Sequence, residues 1–211
     1  MPLTSARALA GAAWIPYPSR VTSQGDDYPT SLLSGVEDAT SGDDDQPRQG
    51  GLGFGLLILR IGLGVIMGAH GLQHLFGAFG GPGVGGFAHV LEMLGYHKQT
   101  TLLSWITGIT EVAGGALVIV GLFTPLAAAG LAGIAANIVY VKFHGGFFQG
   151  DGRGWEFELL LGLCALALVF TGAGSVSLET NTPWRKRPLP FGVISLLLAA
   201  AASVVVIVLA R

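Results

Sequence analysis

The chain has 211 residues, 51% of them hydrophobic and only 11% charged, with a formal net charge of −2. An average soluble domain carries about 25% charged residues, so this composition, with a mean hydropathy of +0.62, excludes an ordinary soluble enzyme and describes an integral membrane protein. No basic surplus marks a nucleic-acid surface, and a single cysteine, Cys164 in an apolar run, excludes an internal disulfide and a dithiol redox centre.

Residues 1–50 show no sustained hydrophobic period and are rich in Ser, Gly, Asp and Pro, as in "SGDDDQPRQGG". They hold seven acids against Arg7, Arg20 and Arg48. Such a segment buries too little apolar surface to offset chain entropy and is expected to be a disordered acidic tail. Its "ALAGAAWI" is too short and too weakly apolar for a signal peptide.

Five apolar stretches follow, each to be judged against the ~20 residues that span a bilayer. They are 52–76, 102–123, 124–143, 155–171 and 189–210, the fourth on the short side and the fifth free of charge. Thr124 is placed to cap the third, with Pro125 at its first helical position. The second and third are nearly continuous, so they form an antiparallel hairpin. Between the first and second, "GAFGGPGVGG" reads as a flexible turn. After it, Phe87, Val90, Leu91 and Leu94 recur at i, i+3, i+4 and i+7, the pattern of a short amphipathic helix lying in the membrane interface. The expected architecture is all-α: an antiparallel four-helix transmembrane bundle over 51–179, a short interfacial helix, and a basic loop with an additional C-terminal transmembrane helix over 180–211. The cluster Arg185, Lys186 and Arg187 marks its side as cytoplasmic, which puts the N-terminus inside.

Ionisable groups inside the apolar stretches are expensive and mark function by default. Arg60 lies about 12 Å into the first span. Glu111, midway along the second, is its expected partner, either as an architectural ion pair or as part of a site. On a helical wheel His70 falls about 80° and His74 about 40° from Arg60, so Arg60, Met67, His70 and His74 form one stripe facing the bundle. Ser104, Thr107, Gly108, Gly114 and Gly115 give the second span a small face around Glu111. Gly130, Gly133, Asn137, Tyr140 and His144 share a face of the third. Glu156 and Glu158 stand about 200° apart, so only one turns inward. The expected intramembrane polar site is Arg60, His70, Gln73, His74, Glu111, Asn137, His144 and Glu156. It offers proton exchange through histidine and carboxylate, and a guanidinium to anchor a polar headgroup. No cysteine or aspartate cluster supports a metal at the His70/His74 pair.

Several motifs stand in a recognisable order: "LLILRIGLG" with Arg60, "AHGLQHLFGAFGGPG" with His70, Gly71, Gln73, Phe76 and Gly77, and "ITEVAGGALVIVGLFTPLAA" with Glu111, Gly114, Gly115, Gly121 and Thr124. "KFHGGFF", "GDGRGWEFELL" and "GAGSVSLE" follow. From Leu56 to Glu179 the chain resembles the DoxX family. His74 is a departure, since that family usually has lysine there. The resemblance implies a four-helix membrane protein related to the small membrane subunit of thiosulfate:quinone oxidoreductase. It also implies assembly with soluble redox enzymes, as mycobacterial relatives assemble with a superoxide dismutase and a sulfurtransferase in oxidative-stress defence. The expected function is therefore a membrane subunit or anchor of a quinone- or thiosulfate-linked oxidoreductase complex in a bacterial plasma membrane. Quinone is the candidate cofactor. The bilayer, soluble redox enzymes and a second copy of the chain are the candidate partners. A small-molecule transporter or channel and a purely structural scaffold are the alternatives.

Overall fold

The computed structural model describes residues 46–150, 152–179 and 182–211. The acidic tail over 1–45 lies outside them. Every regular element among the described residues is helical: α1 Gln46–Phe76, α2 Gly83–Met93, α3 Thr100–Val120, α4 Thr124–Lys142, α5 Glu156–Thr171, α6 Pro183–Lys186 and α7 Pro188–Ala210, with single 3₁₀ turns at Ala78–Gly80 and Phe143–Gly145.

α1 begins earlier than its sequence suggests. Pro47 sits in its first turn, where a missing N–H costs nothing, and five residues assigned to the tail are helical. Among the described residues, four helical stretches are long and apolar enough to cross a membrane: Gly50–Phe76, Thr100–Val120, Thr124–Gly145 and Pro188–Ala210. α5, the expected fourth span, has 16 residues. That is about 24 Å of helix against a hydrocarbon core of about 30 Å. It is held in the bundle by α4 and α7.

α1 packs along α3, α3 turns back into α4, and α4 carries α5 and α7. Small residues set these distances. A Cβ at Gly64 would stand 2.6 Å from the Gly115 carbonyl, and one at Gly71 would stand 2.8 Å from that of Gly108. The α1–α3 crossing is thus a backbone-to-backbone contact of the small-residue kind. The α3–α4 turn is a Schellman closure: Leu122 N–H donates to Leu117 O at 3.0 Å and Gly121 N–H to Val118 O at 3.2 Å, with Gly121 at φ +68°.

Thr124 does not cap α4 with its side chain. The carboxylate of Glu179, 55 residues on, accepts the Thr124 N–H at 2.8 Å. α2 is the short amphipathic helix expected after the glycine-rich turn. Its apolar face turns onto the protein, with Phe87 and Leu91 buried, so it roofs one end of the bundle. At that same end α7 is tied down, its Ala210 carbonyl accepting the N–H groups of His97 (2.8 Å) and Lys98 (3.1 Å).

Candidate functional site

Arg60, Met67, His70 and His74 do turn into the bundle together, but they do not form one site. Arg60 is 1% exposed. Its guanidinium donates to the carbonyls of Val118 (2.7 Å), Ile119 (2.6 Å), Ala173 (2.8 Å) and Val176. It therefore gathers C-terminal carbonyls of α3 and carbonyls of the non-helical segment after α5. Glu179, also 1% exposed, acts on the Arg60 charge and receives Arg185 on its own carbonyl at 2.6 Å. Gly121 is required here as well, because a Cβ would stand 2.5 Å from an Arg60 nitrogen.

The expected Arg60–Glu111 pair is absent. Glu111 bonds His74, Nδ1 to Oε2 at 2.7 Å, with the two side chains 2% and 16% exposed. The glycine contacts explain the swap. Matching Gly64 to Gly115 and Gly71 to Gly108 puts Arg60 about 12 Å below Glu111 in depth. Helical side chains also lean toward their own N-terminus. Arg60 on α1 and Glu111 on antiparallel α3 consequently lean apart, whereas His74 and Glu111 lean together.

This pair lies in the wall of a cavity of about 460 Å³ lined by α1, α2, α3, α4, α5 and α7. The lining is mostly apolar. Its polar members include His70, His74, Glu111, Asn137, Lys142 and Glu158. Phe87 on the roof helix stacks flat on His74, centroids 3.7 Å apart at 8°. His70 sits one turn away, its ring 6.2 Å from that of His74. Asn137 Nδ2 donates to Gly133 O at 2.9 Å and to Ser203 Oγ at 3.0 Å, tying α4 to α7. Its Oδ1 is buried with no partner.

Of the two acids that open α5, Glu158 turns inward and takes Lys142 Nζ at 2.6 Å, leaving its other oxygen buried and unpaired. Glu156 faces the connecting loop, where it accepts the Gln149 N–H at 3.0 Å. His144 is exposed on the 3₁₀ turn, edge-on to Phe143. Gln73 lies under the turn at Gly81. The structure thus gathers His70, His74, Glu111 and Asn137 at one cavity, and leaves Arg60, Gln73, His144 and Glu156 out of its lining. Lys142 and Glu158 are the lining charges that the sequence reading passed over. The sequence offers Glu158 as the alternative to Glu156, whereas nothing local to Lys142 signals its contact with α5.

Fold and site together define a helical membrane protein with a histidine–carboxylate pair held in the wall of a mostly apolar cavity. Residues 55–145 match the DoxX family model. The match takes in α2, α3, α4 and the part of α1 from Gly55 on. It stops before α5 and α7, short of the Glu179 limit expected from the motifs. No curated protein and no solved structure matches the chain.

Proposed function

We propose that this DoxX-domain protein is the membrane subunit of a quinone-linked oxidoreductase complex and that its cavity takes the quinone headgroup. The observation that carries this reading is the cavity itself. About 460 Å³ of mostly apolar space with one histidine–carboxylate pair in its wall suits an aromatic headgroup that exchanges protons. Ligand pockets commonly enclose about 300–1,000 Å³, and about 150 Å³ holds a bare benzene ring.

When bound, a quinone carries two electrons and two protons between a redox partner and the bilayer. The chain's own part is to seat the ring and manage the proton. Where Nδ1 of His74 donates to Glu111, the other ring nitrogen is the basic atom, and the carboxylate stabilises the imidazolium that forms when it takes a proton. Phe87, stacked on the imidazole, fixes its plane and excludes water. The soluble partners supply the electron path, since the chain has no dithiol pair of its own.

The test is extraction of the tagged full-length protein from its native membranes in mild detergent, followed by mass spectrometry and a quinone-analogue assay on the isolate. The reading expects soluble redox enzymes in fixed proportion and quinone turnover that falls at least tenfold in Glu111→Gln. A protein that comes out alone and binds no quinone analogue ends the proposal.

A further inference from the structure

The charged residues are sorted between the two ends of the bundle. At the end roofed by α2, acids and bases are mixed: Glu92, Glu156 and Glu158 stand with Lys98 and Lys142. At the other end, where α3 turns into α4, three exposed cations follow one another, Arg185 and Lys186 on α6 and Arg187 just after it. Among the described residues Glu179 is the one acid there. It is buried, with Oε1 taken by the Thr124 N–H and its charge acting on Arg60. The side chains of Lys186 and Arg187 have no partner among the described residues.

The cations are held in place. Trp184, beside them on α6, stacks on Phe123 with centroids 5.0 Å apart at 26° and meets Phe191 edge-on at 6.2 Å. Arg185 Nη1 donates to the Glu179 carbonyl at 2.6 Å, leaving the other guanidinium nitrogens free of that bond. Their height follows from α7, which begins at the residue after Arg187. Its 23 residues make about 35 Å of helix against a hydrocarbon core of about 30 Å. The first turn of α7, and α6 before it, therefore lie at the level of the lipid headgroups, where tryptophan is favoured.

We infer that α6 docks the headgroup of an anionic phospholipid, with its phosphate on Arg185, Lys186 and Arg187 and its glycerol end beside Trp184. Guanidinium groups bind phosphate through paired N–H bonds, and lysine adds a point charge. A zwitterionic headgroup brings its own ammonium to the same cations and is repelled, so the site selects net negative charge. Membrane topology asks only for cations somewhere in the loop. Here an aromatic stack and the Arg185–Glu179 bond fix them on one turn. The site stands apart from the cavity and holds whether or not the cavity takes a quinone.

The test uses Trp184 as reporter, in full-length protein with Trp14, Trp105 and Trp155 changed to phenylalanine. The protein is reconstituted into phosphatidylcholine vesicles with a minor share of brominated lipid, either phosphatidylglycerol or phosphatidylcholine. Bromine quenches indole fluorescence only at close range, so quenching reads occupancy beside Trp184. The brominated phosphatidylglycerol is expected to occupy the site at least about fivefold more readily, the factor for one cation at an anionic surface. High salt should shrink this preference. Lys186→Gln/Arg187→Gln, which changes two exposed side chains without partners in the fold, should bring it to near parity. A second reporter that keeps only Trp105, 45% exposed near the start of α3, should show no preference. Equal quenching of Trp184 by the two lipids overturns the site, whether the acidic tail or solvent ions then neutralise the cluster. So does a preference that Trp105 shares, or one that survives the double substitution.

Discussion

Nδ1 of His74 stands 2.7 Å from Oε2 of Glu111, while Arg60, on the same face of the same helix, touches neither. One helix therefore serves two ends of the bundle. Its lower charged residue closes the fold by collecting four backbone carbonyls. Its upper histidine meets a carboxylate at the edge of a cavity. The two tasks are separable by mutation.

Replacing Glu111 with leucine leaves the His74 ring without its partner in an apolar wall. An orphaned buried polar group costs about 1–3 kcal/mol, so Glu111→Leu should unfold earlier in a detergent melt by that amount. Glu111→Gln keeps an oxygen for the imidazole N–H and should stay within about 1 kcal/mol of wild type. It nevertheless loses the negative charge that stabilises a protonated His74. A Gln variant as unstable as the Leu variant would show that the ionised carboxylate, not the hydrogen bond, holds the helices together.

Arg60→Met removes the guanidinium donors from the carbonyls of Ile119, Ala173 and Val176 and takes the positive charge away from buried Glu179. With several acceptors left unsatisfied at about 1–3 kcal/mol each, the loss should reach at least about 3 kcal/mol in the same melt. Because Arg60 does not line the cavity, the protein that still folds should bind a methyl benzoquinone as the wild type does. A variant that melts normally but loses that ligand would return Arg60 to the binding site.

Much of this was legible in the sequence. The apolar stretches, the 3.6-residue stripe of Arg60, His70 and His74, and the glycine face around Glu111 follow from period and composition. Pairing did not follow, because depth along two antiparallel helices depends on which glycines meet and on the lean of side chains toward their own N-termini. Glu179 was equally invisible as a helix cap. Its partner, Thr124, lies 55 residues away, and nothing local to either position signals the contact. α2 was recognised as amphipathic, yet an apolar stripe reads the same whether lipid or protein covers it.

Tyr96 offers a pH test outside the spans. It is 2% exposed, and burial raises its phenol above the ordinary tyrosine value, with the Arg211 guanidinium opposing in part. An acid raised by folding contributes its full share of stability below the unfolded value, about 10, and loses that share as pH rises through the folded value. Wild-type stability should therefore fall above about pH 10 more steeply than that of Tyr96→Phe. Melts at stepped alkaline pH check this, and parallel curves for the two proteins would refute it.

Two glycines on α1 make the sharpest comparison. A Cβ at Gly71 would meet the Glu111 Cβ at 2.8 Å and the Gly108 carbonyl at 2.8 Å, whereas one at Gly62 would meet nothing within 4 Å. Both substitutions to alanine add the same methyl to the same helix, so helix propensity cancels between them. Gly71→Ala must push α1 off α3, at about 1–3 kcal/mol for overpacking, and the shift falls within one turn of His74. Gly62→Ala should equal or exceed the wild type by up to about 1 kcal/mol, the helix-propensity gain of alanine over glycine. Melting curves give the first difference and methyl-benzoquinone binding the second. Gly71→Ala should lose at least tenfold in affinity, because the His74–Glu111 contact cannot keep its 2.7 Å length once the helices separate. If the two alanine variants behave alike, the close α1–α3 crossing does not hold the pair in place.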